Sequence, residues 1–414
     1  MNEDIGTFLT TPVDLLAFGE PTHLEPAFAW TRNDLFAELA GHGYRSIALE
    51  TDRVAALLVD DYVRHGVGAL DEVMARGFSH GFGGFEANRH LVSWMREYNE
   101  QRRPDDRLAC HGFDAPTETM SAPSPRRYLE YTRDYLRLDL DLAGLLGADE
   151  RWARTEAVMD PVESPGATTE AGALRVLADD MLIELYTRAP ELIAETSRAE
   201  WFRAETYLTA GLGLLRYHKQ AAQDLEQTAR WTRLCATRDA LMARNLLDIR
   251  RAEAERGPTM VFAQNAHLQR NPSSMRMGDM QIDWSSAGAI VASLMGARYT
   301  VVIGTLGRDE TIGLGEPAPD TYEGFLQTRV VAQQLVAPAD IPPARIRDDH
   351  TPAQGFFPLD GASAAAADVI LHIHDGAAVR GPGASGIRLP VPAARHEPHR
   401  GAVEVDPKPR WAGL

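Results

Sequence analysis

Six short apolar runs, at residues 13–18, 46–49, 108–113, 260–263, 299–305 and 369–374, constrain the fold of this chain more than any other feature. Their near-continuous apolarity, without in–out alternation, suits strands covered on both faces, as in a mainly parallel sheet. Between the first two runs, residues 25–39 place Phe28, Leu35, Phe36 and Leu39 at helical spacing. Pro26 stands near the start of that stretch, and Gly41 and Gly43 follow its end, the usual helix punctuation. Strand, helix and strand in so few residues make a βαβ unit. The expected fold class is therefore α/β, with a mainly parallel mixed sheet and flanking helices.

The middle of the chain reads differently. From about residue 124 to 256 it is rich in Ala, Leu, Arg and Glu with helical periodicity, and 201–256 reads as one or two long helices broken near Gly211 and Gly213. The expected organisation is a catalytic α/β core from 1–120 and 257–375 with an inserted helical subdomain at 121–256. A tail at 376–414, rich in Pro, Gly and Arg, is expected to be extended or poorly ordered.

Reactive residues cluster where these runs end. Glu20 and His23 follow the first run, Glu50 closes the second, and His111 and Asp114 end the third; His267 comes four residues after Ala263, and His372 and His374 end the last. Ligands of parallel α/β sheets bind beyond the carboxyl ends of the strands, so such side chains converge on one rim. Any one of them alone reads as a cap, turn or surface group, and His111, beside Gly112, is read that way. Together, Glu20, His23, Glu50 and His267 point to proton chemistry. Histidine takes a proton from water near neutrality, a neighbouring carboxylate fixes its tautomer, and a second imidazole or a guanidinium stabilises an oxyanion. Arg32, nine residues after His23, is the guanidinium candidate; its other reading is a surface arginine paired with Glu38 or Asp34.

Other chemistries lack their signatures. There is no GxxxxGK[ST], no HExxH and no GxGxxG after a strand. Gly383-Ala384-Ser385-Gly386-Ile387 misses the final glycine of a nucleophile elbow. Gly81-Phe82-Gly83-Gly84 reads as a substrate-side loop or a plain turn. The two histidines and two glutamates are plausible Zn²⁺ or Mn²⁺ ligands, but only Glu20 and His23 are closely spaced, so neither metal nor cofactor is expected. A net charge of −17 argues against nucleic-acid and anionic-lipid partners. No run reaches the roughly 18 apolar residues of a membrane helix. The first residues lack a basic segment followed by an apolar one. Cys110 and Cys235 form no CxxC pattern, as for free buried thiols in a reducing cytoplasm. Lysine occurs only at 219 and 408, an arginine bias suggesting a GC-rich bacterial genome. The expected partner is a small molecule; nothing in the pattern specifies an oligomeric state.

The run LLAFGEPTHLEPAFAWTRNDLFAELAGHGYRSIALETD resembles the opening of the erythromycin esterase family. That family shows Gly-Glu-x-x-His after the first strand, an arginine nine residues later, and Ala-Leu-Glu at the second strand, matched here by Glu20, His23, Arg32 and Glu50. GFEANRHLVSWMREYNE, HGFDAP, RDALMARNLL and VFAQNAHLQR resemble later family segments in the same order, so the similarity spans roughly residues 12–375. The resemblance implies a mixed α/β sheet with a helical subdomain enclosing a wide, acidic cleft. It also implies a metal-independent hydrolase in which His23 activates water against a lactone ester, with Glu20, Glu50, Arg32 and His267 orienting or stabilising. One position departs: the first histidine of the family's His-Asn-x-His is Gln264 here. Glutamine hydrogen-bonds a substrate but carries no proton at neutral pH. Gln264, Asn265 and Asp114 are accordingly expected to bind substrate. Three readings follow: hydrolysis of an ester or lactone in a bulky natural product, as in antibiotic resistance; a biosynthetic elimination, cyclisation or acyl transfer at the same site; or non-catalytic binding of a metal or haem through His23 and His267.

Overall fold

The computed structural model describes residues 12–118 and 120–382. It opens with β1 (Leu15–Glu20), α1 (Pro26–Gly41), β2 (Ser46–Asp52), α2 (Ala56–His65), α3 (Leu70–Arg76), α4 (Glu86–Glu100) and β3 (Ala109–Asp114). Helices alone follow among the described residues: α5 (Arg126–Leu136), α6 (Ala143–Leu146), α7 (Glu150–Ala153), α8 (Glu156–Met159), α9 (Thr169–Thr187), α10 (Ala189–Glu195), α11 (Arg198–Ala221) and α12 (Gln227–Glu253). The chain re-enters the sheet at β4 (Thr259–Gln264), followed by α13 (Asn265–Leu268) and a separate hairpin of β5 (Ser273–Met277) and β6 (Met280–Trp284). It ends with α14 (Ala287–Met295), β7 (Tyr299–Arg308), α15 (Tyr322–Gln327), β8 (Gln333–Val336), α16 (Gly361–Ala366) and β9 (Val369–Asp375).

The main sheet has seven strands in the order β3-β2-β4-β1-β7-β9-β8. All neighbours are parallel except the edge strand β8, which runs antiparallel to β9. The expected α/β class holds, and the reason the runs look continuous is visible in the packing. Leu16, Phe18, Leu49 and Phe262 pack into one core with Phe28 and Phe36 of α1 and Leu91 of α4. Their strand neighbours Leu15, Ala17, Ala48 and Val261 pack into another with Met242 and Leu246 of α12 and Val291 of α14. Alternate residues thus face opposite helical layers, and both sets must be apolar. Helix α1 begins where Glu25 accepts from the Ala27 N–H and Pro26 takes the first turn.

Two local expectations about these elements are corrected. Strand β2 continues to Asp52, so Glu50 lies within it and not at its end. The break between the long helices falls at 222–226, where Glu226 caps α12 by accepting from Thr228 and Ala229. Gly211 and Gly213 lie inside α11; Gly211 serves close packing, since a Cβ there would come within 3.0 Å of Leu129 and Tyr128. After β9 the chain makes a 3-10 turn at Gly376–Ala378; residues 383–414, with the Gly383–Ile387 motif, lie outside the described residues. Both cysteines are unpaired, Cys110 buried and Cys235 only partly so. Among the described residues, no helix is long and apolar enough to cross a membrane.

One side chain ties the middle of the sheet to α13. Asn265 donates to the Gly304 carbonyl (2.8 Å) and accepts from the Gly304 N–H (3.2 Å). It fits because Gly19 has no Cβ, which would stand 2.2 Å from Asn265 Oδ1. A Cβ on Gly304 would in turn meet the Gly19 carbonyl at 2.3 Å. The glycine preceding Glu20 is thus needed for packing, and the pin it admits sets α13 and His267 over the rim. Gly19→Ala is expected to lower stability by about 1–3 kcal/mol through overpacking, measured by urea denaturation; an unchanged midpoint would show that the asparagine is not seated there.

Candidate active site

Because β1, β2, β3 and β4 are parallel neighbours, their carboxyl ends share one rim. β1 brings Glu20 and the turn bearing His23, β2 brings Glu50, β3 brings Asp114, and β4 leads through Gln264 into α13 with Asn265 and His267.

Glu50 is the centre of the cluster and is buried. Its Oε1 faces His23 Nε2 at 3.7 Å, His267 Nε2 at 3.4 Å and Arg238 Nη2 at 3.3 Å. Its Oε2 accepts the Gln264 backbone N–H at 2.9 Å. Burial pushes its pKa up, but His267, His23 and Arg238 outweigh burial and hold it below the ordinary carboxylate value. His23 Nδ1 bonds Glu20 Oε1 at 2.7 Å. Burial on its own would lower the His23 pKa; the carboxylates of Glu50 and Glu20 overcome it and raise it to about 9. Burial raises the Glu20 pKa against the pull of His23.

Two further carboxylates hold the cations in place. His267 Nδ1 lies 3.0 Å from Asp239 Oδ1, and Asp239 also accepts from Trp284 Nε1 (3.0 Å) and the Ala287 N–H (2.8 Å). Burial opposes the charged form of His267, yet Asp239 and Glu50 raise its pKa on balance. Arg238 forms a two-pronged pair with Asp114, at 3.0 and 2.7 Å. Asp114 is held well below the usual carboxylate range despite full burial, chiefly by Arg238 and His80. His80 Nε2 lies 2.9 Å from Asp114 Oδ2 and Nδ1 lies 2.8 Å from Glu118 Oε2. Bonding both ring nitrogens to carboxylates favours the imidazolium, and its pKa is raised although burial pulls the other way. The His80 backbone is left-handed, with φ of 55°, a conformation costly outside glycine.

Arg32 is buried in the wall and is not a surface arginine. It donates to Asn88 (2.9 Å) and through two nitrogens to Asn33 (3.0 and 2.7 Å), and its guanidinium lies 4.8 Å from the Phe262 ring centroid. Burial lowers its pKa to about 10. The remaining expected residues are placed less directly. The Gln264 side chain reaches the Gly355 carbonyl at 3.4 Å, while Asn265 is engaged with Gly304. His111 pairs with Glu253 at 2.9 Å, away from the cluster. His372 is buried between Thr305 and Gln327, where burial lowers its pKa to about 3, and it takes no part.

A cavity of about 620 Å³ opens beside Glu20, His23, Arg32 and Glu50. The glycine-rich segment forms a 3-10 turn, Phe82–Gly84, in its wall, and the Phe82 ring lies 4.9 Å from His23 and 5.5 Å from His80. Among the described residues, no group of three or more His, Cys, Asp or Glu side chains is arranged to hold a metal ion. Sequence reading missed Arg238, Asp239 and His80 as members of the cluster. Arg238 and Asp239 were visible as the first two residues of RDALMARNLL, but they lie within α12, far from any strand end. His80 gave no signal beyond its place before the glycine-rich turn.

The sequence model of the family described as Erythromycin esterase matches residues 39–371, beginning after His23 and Arg32 and including Glu50, Asp114, Arg238 and His267. No curated protein matches the chain. Three solved structures share the fold. One is a Bacillus cereus protein (15% identity, TM-score 0.65, 90% of each chain covered). Another is a mutant of the erythromycin esterase EreC in its open conformation (18%, 0.62, 90% of this chain and 93% of that one). The third is a succinoglycan biosynthesis protein (14%, 0.58, 90% of each). With the family match running over most of its length, the chain belongs to the erythromycin esterase family and so to the esterase class of hydrolases.

Proposed function

We propose that this enzyme hydrolyses an ester or lactone of a bulky natural product, with His23 as the base that activates water. The observation carrying this reading is the division of labour on one imidazole. Nδ1 is committed to Glu20 at 2.7 Å, whereas Nε2 stands 3.7 Å from Glu50, too far for a hydrogen bond, in the wall of the cavity. A neutral His23 with its proton on Nδ1 therefore keeps its Nε2 lone pair for a water. As that water gives up its proton and adds to the carbonyl, Glu20 and Glu50 stabilise the imidazolium formed. The same proton then passes to the departing alkoxide as the C–O bond breaks. Arg32 uses three N–H groups on Asn33 and Asn88, leaving donors for the oxyanion. Arg238 and His267 add positive charge from the Glu50 side.

A second reading keeps the base and changes the reaction. Gln264 cannot take up or release a proton at neutral pH as an imidazole would, and a biosynthetic elimination, cyclisation or acyl transfer can run on His23 as the one base. Turnover in ¹⁸O-labelled water separates them: hydrolysis places the label in the carboxylate product, and an unlabelled product would reject it.

His23→Ala is expected to reduce turnover by about 10²–10⁴-fold while circular dichroism and ligand binding stay near wild type; near-full activity would remove His23 from the mechanism. The pH profile gives an independent check. His23 must be neutral to act and its pKa is raised to about 9, so its base form is scarce at pH 7 and grows with pH. The kcat/KM is expected to climb to a plateau above about pH 9. Glu50→Gln removes a charge that favours the imidazolium and should move that limb to lower pH. A limb that stays in place would show that Glu50 does not govern the base.

A further inference from the structure

The cavity beside His23 runs between the first turns of α1 and α4, and its composition limits what it takes. Trp30, Phe78, Phe82, Phe85 and Phe262 all line it. Ala29 on α1 and Ala87 on α4, buried at 7% and 2% exposure, are small where larger side chains would fill the space. At the mouth, Leu24 and Phe85 are 51% and 39% exposed, apolar surface that a ligand would cover.

The charged lining groups offset one another. Glu20, Glu50 and Glu86 stand against Arg32, Arg380 and the protonated His23. Glu25, raised to about 8 by burial and by Asp309, is mainly uncharged at neutral pH. The inner charges are also engaged within the protein: Glu20 with His23, Glu50 with Arg238, and Arg32 with Asn33 and Asn88. Arg380 donates to Asp309 and Thr311. Asn88, the polar group on α4, accepts from Arg32 and donates to the Phe82 carbonyl. A charged substituent entering here would lose much of its hydration among the aromatic walls, where lining charges of opposite sign offset one another. An apolar one would exchange water for aromatic walls.

We infer that the cavity selects an uncharged, mainly apolar carboxylic ester, with aryl or branched-alkyl groups seated between Ala29 and Ala87 and the carbonyl presented to His23. This rests on the hydrolase reading above and adds to it the substrate class.

The test compares methyl phenylpropionate with its para-carboxylate and para-aminomethyl analogues, which differ in charge on the same framework. The neutral ester is expected to exceed both charged ones in kcat/KM by about 100-fold or more; equal values, or preference for either ion, would overturn the inference. Ala29→Leu and Ala87→Leu should each lower the preference for methyl phenylpropionate over methyl acetate by about tenfold, through KM. A ratio unchanged in both folded variants would show that the group does not sit there. Calorimetry with phenylbutanone, the ketone in which methyl replaces methoxy, separates binding from turnover. Binding to wild type and His23→Ala but not to Ala29→Leu supports the cavity assignment even if no ester is cleaved, an outcome that would count against hydrolysis alone. Cleavage of all three esters without discrimination would do the reverse.

Discussion

A carboxylate removed from water at the centre of the rim is the constraint on which the rest of this site depends. Glu50 is 5% exposed and stays ionised, and an ion so placed costs several kcal/mol unless other charges and dipoles replace its hydration. Arg238, His23, His267 and the Gln264 N–H supply that replacement. Each cation then needs a partner of its own. Arg238 turns to Asp114, Asp114 to His80, and His267 to Asp239, which is held by Trp284 and the start of α14. The cluster is thus a chain of compensation from one buried charge, and it joins the sheet to α12.

That chain also sets the character of the proposed base. The carboxylates flanking His23 strengthen it and at the same time keep most of it protonated at neutral pH. Proton-transfer catalysis balances these two effects, since a stronger base is a scarcer one. Glu50 and Glu20 both raise its basicity, and Glu20 in addition fixes the ring through Nδ1.

Much of the fold was legible because a two-sided parallel sheet leaves an unmistakable mark: apolar runs too short for helices and too continuous for one-sided strands. The same rule led to Glu20, His23, Glu50, Asp114 and His267, since residues near the ends of parallel strands gather at one edge whatever their separation in sequence. It could not reach Arg238 and Asp239, which arrive on a helix whose own periodicity shows them only as a polar pair. Nor could it show that Asn265 is a structural pin, because that depends on two glycines, Gly19 and Gly304, from other strands. Gly211 and Gly213 misled for a related reason. A helix glycine reads as a breaker in isolation, and only the approach of α5 to Gly211 and of Leu241 on α12 to Gly213 shows them to be packing surfaces. Arg32, nine residues from His23, was locatable, but its burial against Asn33, Asn88 and Phe262 belongs to the tertiary structure alone.

Helix α12 has a consequence for how a chain of this kind can diverge. It carries Arg238 and Asp239 at the rim, supports the end of β3 through Asn245, and holds His111 through Glu253 at its far end. A residue inserted between Asp239 and Glu253 would swing one part of this rod by about 100° relative to the other. No small readjustment restores both ends, so the rod tolerates substitution far better than a change of length. The turns between β3 and the Glu226 cap carry no such phase relation to the cluster. Insertions and deletions there can reshape the helical block around an unchanged charge cluster, leaving α12 from Arg238 to Glu253 as the segment whose length is fixed.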